Sequence, residues 1–112
     1  MKWHHIESVH DIEHIKEASS EVPCLIFKHS TRCSISSLAQ HRLQDDWTFD
    51  KETLRPYYLD LIQHRDISRH IADTFDVYHE SPQVLLIKDG VCIYDASHLD
   101  IRVSELREEL TA

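Results

Sequence analysis

Blocks of apolar and polar residues predict alternating helices and strands along this chain. From about Val9 to Ala18 the apolar residues recur at helical spacing, and Ser8 followed by Asp11 is typical of a capping box at a helix start. The stripe predicted to face inward consists of Val9, Ile12, Ile15 and Ala18. The apolar run Val22–Phe27 is nearly continuous instead, which predicts a strand buried on both faces.

A second helix is predicted to begin around Cys33, because apolar residues follow it at helical spacing. Those residues are Ile35, Leu38, Ala39 and Leu43. The polar stretch Asp45–Arg55 predicts a loop that contains Trp47 and Phe49. Together with Trp3 these aromatic side chains either line a groove for a partner or anchor a small local core, and the local core is the commoner arrangement.

The second half of the chain predicts three strands and two helices. These are a strand at Tyr57–Ile62 opened by Pro56, a helix capped by Asp66, strands at Val84–Ile87 and Val91–Tyr94, and a last helix after Asp100. The inner faces of the two helices are predicted to consist of Ile67, Ile71 and Phe75, and of Val103, Leu106 and Leu110. Asp89-Gly90 lies between two apolar runs and predicts a hairpin turn, so the last two strands should be antiparallel.

The predicted element order, α-β-α-β-α-β-β-α, indicates the fold class. A helix joins the first two strands, so these should be parallel with a right-handed crossover. We expect an α/β protein of three layers, α/β/α, in which a four-stranded mixed sheet is flanked by helices. The 112 residues contain no repeat and no linker, which favours a single domain over residues 1–112.

Cys33 is the residue that most clearly indicates chemistry. A cysteine between a strand and a helix meets free backbone N–H groups and the positive end of the helix dipole, which stabilise the nucleophilic thiolate. Ser36 stands where a dithiol motif would carry its second cysteine, so the motif is C-x-x-S, and we expect Ser36 to donate a hydrogen bond to the thiolate. The alternative is a buried, inert cysteine at a helix start.

Positive charge is expected close to Cys33. Arg32 precedes it directly, and Lys28 and His29 add to that charge if the end of the strand turns them toward the site. The other two cysteines, Cys24 and Cys92, lie inside apolar strands and are expected to pack in the core.

Charge and composition limit the function classes. The formal net charge is −8, from 20 acidic residues against 12 Lys and Arg, which argues against binding to nucleic acid or to an anionic membrane. No apolar run is long enough for a membrane span, and the N-terminus lacks the apolar region of a signal peptide, so we expect a cytoplasmic protein. His10 and His14 have the i, i+4 spacing of a chelating pair, but no third ligand completes a recognised metal motif.

The segment Phe27–Ser37 resembles the signature of the monothiol bacilliredoxin-like family, which belongs to the thioredoxin-like superfamily. The segments Tyr57–Ile62, His79–Gln83 and Lys88–Gly90 are also similar to that family. The resemblance implies that Cys33 is the nucleophile, with Ser36 beside it in the catalytic motif. It also implies that Thr31, Arg32 and Ser34 bind the substrate, and that Ser81 and a cis Pro82 pair with the disulfide-bearing partner.

By this resemblance the protein removes small-thiol caps from S-thiolated client proteins. It implies no bound cofactor, but a low-molecular-weight thiol such as bacillithiol as cosubstrate. Where the family commonly has proline after the cysteine, Ser34 keeps a backbone N–H that favours the thiolate. One alternative is a non-catalytic redox-stress or protein-binding module. Another is iron–sulfur handling, as in monothiol glutaredoxins, which Ser34-Ile35 disfavours because those proteins carry Gly-Phe there.

Overall fold

A mixed β-sheet with helices on both faces forms the structure, a computed structural model that describes all 112 residues. In chain order the elements are β1 (His4–His5), α1 (Val9–Ala18), β2 (Cys24–His29), α2 (Ser34–Asp46), β3 (Arg55–Asp60), α3 (Arg65–Phe75), β4 (Gln83–Lys88), β5 (Val91–Ser97) and α4 (Val103–Thr111). A short 3-10 helix at His98–Asp100 precedes α4. The predicted α/β/α layering is therefore confirmed.

The sheet has five strands in the order β1-β3-β2-β4-β5, with β2 at its centre. β2 is parallel to β3 and antiparallel to β4, and β4 and β5 form the predicted antiparallel hairpin. The prediction of four strands was wrong because it missed β1, which pairs in parallel with β3 through only two residues. His4 and His5 are both exposed, so no apolar pattern marks this strand in the sequence.

Alternate side chains of the central strand enter two separate cores. Cys24 and Ile26 lie on the face covered by α1 and α3, whereas Leu25 and Phe27 lie on the face covered by α2 and α4. Trp3, together with Trp47 and Phe49 of the loop after α2, packs against the second core. The ring centroids of Trp3 and Phe27 are 5.6 Å apart, and those of Trp47 and Phe49 are 5.1 Å apart. These aromatic side chains therefore pack onto the second core, and Trp47 and Phe49 also line a cavity of about 410 Å³.

Two local signals in the sequence have the geometry they predict. The Asp11 carboxylate accepts hydrogen bonds from the backbone N–H groups of Glu7 and Ser8, at 2.8 and 3.1 Å, which caps α1. In the hairpin turn Asp89 and Gly90 have φ of 53° and 79°, as a tight two-residue turn between twisted antiparallel strands requires.

The predicted inner faces of α1 and α2 were partly wrong. Ile35 and Leu38 are 42% and 47% exposed, and the buried residues of α2 are Ser36, Ala39 and Leu43. Val9, at the first position of α1, is 40% exposed. The predicted inner face of α3 is buried from Ile67 to Phe75. On α4, Val103 and Leu106 are buried, and Leu110 is only partly covered.

Several element boundaries also differ from the prediction. β2 continues through two polar residues to His29, β3 begins at Arg55, and β4 and β5 are each longer than predicted. The N-cap position of α3 is His64, whose side chain makes no capping hydrogen bond, and Asp66 lies inside the first turn. Backbone pairing extends these strands past their apolar residues, and the hydrophobic pattern does not report that pairing. No helix is both long enough and apolar enough to cross a membrane.

Candidate functional site

Cys33 occupies the N-cap position of α2, immediately before the first helical residue. Its backbone is extended, with φ −116° and ψ 121°, and its carbonyl accepts a hydrogen bond from the N–H of Ser37 at 3.1 Å. No side chain caps this helix, so N–H groups of its first turn remain available to a charged group at the N-terminus. The thiol is only partly buried. A thiolate at this position benefits from the helix dipole.

Ser36 does not contact Cys33 in the predicted way. Its side chain is fully buried, and its Oγ lies 2.7 Å from Nδ1 of His29 and accepts a hydrogen bond from the N–H of Ser30 at 3.0 Å. No hydrogen bond joins Ser36 to the sulfur of Cys33. The hydrogen bonds of Ser36 therefore connect the start of α2 to the end of β2 and position the turn that carries Cys33.

His29 is a buried residue that the sequence did not identify as such. Burial lowers the pKa of His29, and the nearby Asp60 carboxylate and Ser36 only partly oppose that shift. The ring is therefore neutral at physiological pH and serves as a hydrogen-bond partner of Ser36, not as a source of positive charge.

Ser81 and Pro82 lie just before the start of β4, next to the C-terminal end of β2. The Ser81–Pro82 peptide bond is cis, the geometry that the family resemblance implied. Gln83, the next residue, pairs with Lys28 in the antiparallel ladder between β2 and β4. The Oγ of Ser81 is buried and has no hydrogen-bond partner.

The three other predicted site residues, Thr31, Arg32 and Ser34, are all exposed next to Cys33. Arg32 also lines a cavity of about 670 Å³ between the β2–α2 turn and α3. Arg65 and Arg69 line it from α3, and the sequence analysis missed both. Their i, i+4 spacing at the start of a helix was the available signal.

Lys28 lies under this cavity instead of reaching its surface. The side chain is fully buried, and its Nζ lies 3.2 Å from Nδ1 of His79, which lines the cavity. The Oγ of Ser68 also lies 3.2 Å from Nδ1 of His79. Burial lowers the pKa of Lys28 to about 8, and burial together with the charge of Lys28 lowers the pKa of His79. His79 itself is exposed, and its Nδ1 belongs to a polar cluster with Lys28 and Ser68.

Comparison with known proteins gives the family. The model of the family described as monothiol bacilliredoxin BrxC matches residues 4–106. The chain belongs to the monothiol bacilliredoxin family. The match covers the motif around Cys33, the cis Pro82 and both sides of the cavity.

Solved structures show that this bacilliredoxin chain has a thioredoxin fold. A protein described as a candidate oxidoreductase with a thioredoxin fold is 30% identical, with a TM-score of 0.78 over 94% of this chain and 90% of that one. Thioredoxin from Malassezia sympodialis is 17% identical with a TM-score of 0.72, over 98% and 89% of the two chains. Thioredoxin from Trypanosoma brucei brucei is 14% identical with a TM-score of 0.72, over 98% and 88%.

The remaining cysteines of this bacilliredoxin lie in environments that disfavour the thiolate. Cys24 is fully buried, its Sγ donates a hydrogen bond to the carbonyl of Val22 at 3.4 Å, and burial raises its pKa to about 11. Cys92 is only partly covered, because β5 is an edge strand, but burial raises its pKa to about 11 as well. Its Sγ donates to the carbonyl of Tyr94 at 3.3 Å.

The histidines do not assemble a metal site. His10 and His14 are both exposed on α1. The structure contains no group of three or more His, Cys, Asp or Glu side chains arranged to hold a metal ion.

Proposed function

We propose that this chain is a monothiol thiol–disulfide oxidoreductase that removes low-molecular-weight thiol caps from proteins through Cys33. The observation that carries the proposal is the contrast among its three thiols. Cys33 alone lies at an uncapped helix N-terminus with access to solvent, whereas Cys24 and Cys92 donate to backbone carbonyls and have raised pKa values. Membership of the monothiol bacilliredoxin family supports the same chemistry.

The reaction is a thiol–disulfide exchange. The Cys33 thiolate attacks the small-thiol sulfur of a capped client; a new disulfide forms between Cys33 and the cap, and the client sulfur leaves as a thiolate. A second small thiol from solution then attacks the capped Cys33, forms a small-molecule disulfide and restores the Cys33 thiolate. Because Ser36 cannot form a disulfide, the second thiol must come from outside the chain.

The surrounding residues have separate roles in this proposal. Ser36 positions the turn, as its bonds to His29 and to the N–H of Ser30 indicate. The backbone at Ser81, before the cis Pro82, pairs with the extended segment of the client that carries the capped sulfur. Thr31, Arg32 and Ser34 contact the cap from the exposed side of the turn.

Mass spectrometry of the intact protein tests the proposal. The folded protein is exposed to bacillithiol disulfide and, in parallel, to glutathione disulfide, and the modified residue is located by peptide mapping. We expect one adduct, on Cys33, that a second added thiol releases. Bacillithiol is the cosubstrate expected for this family, so its disulfide should react faster.

Two variants serve as controls. Cys33→Ser should give no adduct, whereas Cys92→Ser should react like the unmodified protein. Absence of any adduct on folded protein would instead support a non-catalytic binding module, and an adduct on Cys24 or Cys92 of equal yield would contradict the single-thiol mechanism.

A further inference from the structure

The cavity beside Cys33 concentrates positive charge. Arg32 lines it from the β2–α2 turn, and Arg65 and Arg69 line it from α3, where their spacing of one helical turn places both on the same face. Its remaining walls include carbon surface from Leu61, Ile62 and Ala72. The cavity is thus lined by three arginine residues together with apolar side chains.

No carboxylate of the chain neutralises these arginines. Neither Asp nor Glu lines the cavity, although the chain has 20 acidic residues against 12 Lys and Arg. The one side-chain ion pair of the whole structure joins His98 and Glu80, at 3.7 Å. In a chain of net charge −8, a cavity lined by three arginines and by no carboxylate is suited to an anion from outside.

Lys28 provides a second, independent observation. Its amine is fully buried behind the cavity and contacts only a histidine nitrogen, that of His79, rather than a carboxylate. A buried amine that can become cationic is costly when no anion compensates it. An anion in the cavity would stabilise the protonated amine through His79.

We propose that this cavity binds the carboxylate groups of the small thiol, so that the protein selects acidic caps over neutral ones. The inference rests on the proposed function, since Arg32 directly precedes Cys33 and a cap attached to Cys33 extends from the same turn. Arginine suits this role because its planar guanidinium donates paired hydrogen bonds to a carboxylate. The apolar side chains that line the cavity accommodate the carbon skeleton that joins the sulfur to the acid.

A second group of arginines, on another surface, lines a cavity together with a carboxylate. Arg42, Arg102 and Arg107 line a smaller cavity of about 210 Å³, and Asp46 lines it with them. The double variant Arg42→Gln/Arg102→Gln supplies a matched control, because it removes the same two charges from a cavity that a carboxylate also lines.

The first test measures selectivity. Rates of adduct formation on Cys33 are compared for glutathione disulfide, which carries carboxylates, and hydroxyethyl disulfide, which is neutral. We expect the double variant Arg65→Gln/Arg69→Gln to slow the acidic disulfide about tenfold and the neutral one less than about twofold, with Arg42→Gln/Arg102→Gln leaving both rates unchanged. An equal loss for both disulfides would overturn the proposal, because it would indicate a general effect of charge on the thiolate.

The second test does not depend on exchange. Succinate and its uncharged analogue succinamide are titrated into the Cys33→Ser protein while backbone amide NMR shifts are followed. Succinate alone should shift the amides of Arg65 and Arg69, and the double variant should weaken its binding about tenfold. Failure of both disulfides to react would refute the proposed function, whereas succinate binding that is absent or insensitive to the double variant would refute the carboxylate site.

Discussion

The two halves of β2 are equally buried but differ completely in chemistry. Cys24 to Phe27 is apolar and fills both cores, whereas Lys28 and His29 are polar and almost as inaccessible, at 0% and 4% exposure. The strand places one thiol, Cys24, at its start inside the core and leads to another, Cys33, beyond its end. The comparison teaches that a thiol within the buried strand is kept inert, whereas a thiol just beyond the end of the strand, at the helix N-terminus, is accessible.

Removal of the reactive thiol should produce the largest effect. We expect Cys33→Ser to lower thiol exchange by at least about a thousandfold, because burial raises the pKa of both other thiols, and to change the free energy of unfolding by less than about 0.5 kcal/mol. Adduct formation by mass spectrometry and urea unfolding measure the two quantities. Substantial residual exchange would mean that Cys24 or Cys92 also contributes chemistry.

Replacing the buried thiol Cys24 should affect stability and leave thiol exchange intact. Cys24→Ser places a hydroxyl in an apolar core and should lower the free energy of unfolding by about 1–3 kcal/mol, while exchange at Cys33 stays unchanged. Urea unfolding and the adduct rate are the measurements, and Cys92→Ser on the edge strand is the control, with a smaller expected loss. Equal loss of exchange in folded Cys24→Ser and Cys33→Ser would contradict the separation of the two halves.

Ser36→Ala tests how the polar half positions the turn. Without the hydroxyl, the N–H of Ser30 and Nδ1 of His29 lose their partner, so the free energy of unfolding should fall by about 1–2 kcal/mol. The exchange rate should fall only several-fold, since Ser36 is not bonded to the sulfur. Ser37→Ala, on the same helix turn without a side-chain hydrogen bond, is the control and should be near neutral. A fall in rate as large as that of Cys33→Ser would indicate a direct role.

The smallest effect concerns pH and Lys28. Its pKa is about 8 in the folded protein and 10.5 ordinarily, so the unfolded chain binds more protons between these values. The contribution of Lys28 to stability therefore rises as pH increases through that window, by at most about 1.4 kcal/mol per pH unit. The difference in unfolding free energy between the natural chain and Lys28→Met, measured at pH 7, 8 and 9, should show this rise. A difference that is constant with pH would mean that Lys28 is not desolvated.

The sequence predicts the apolar half of β2 well and the polar half poorly. Cys24 to Phe27 could be placed because continuous hydrophobicity is a local signal, and the capping box at Ser8 and the Asp89-Gly90 turn are local as well. Lys28 and His29 are buried only because β3 and β4 pair with them from distant parts of the chain.

The features of the candidate site also differ in whether the sequence could predict them. Cys33 follows from its motif and from its place between a strand and a helix, whereas the cis Pro82 was implied only by the family resemblance. The partner of Ser36, the burial of Lys28 and the meeting of Arg32 with Arg65 and Arg69 depend on how β2 and α3 pack in three dimensions, and no spacing in the sequence encodes that distance.

The central place of β2 in the sheet also affects how the protein is assembled during synthesis. Residues 24–29 leave the ribosome early, but the strand pairs on one side with Arg55–Asp60 and on the other with Gln83–Lys88. Until the second of these has been made, a growing chain carries an apolar strand with one open edge, the kind of segment that chaperones bind and that aggregates when synthesis stalls. Both edges of the strand that leads to the reactive thiol can thus be paired only when about three quarters of the chain has been made.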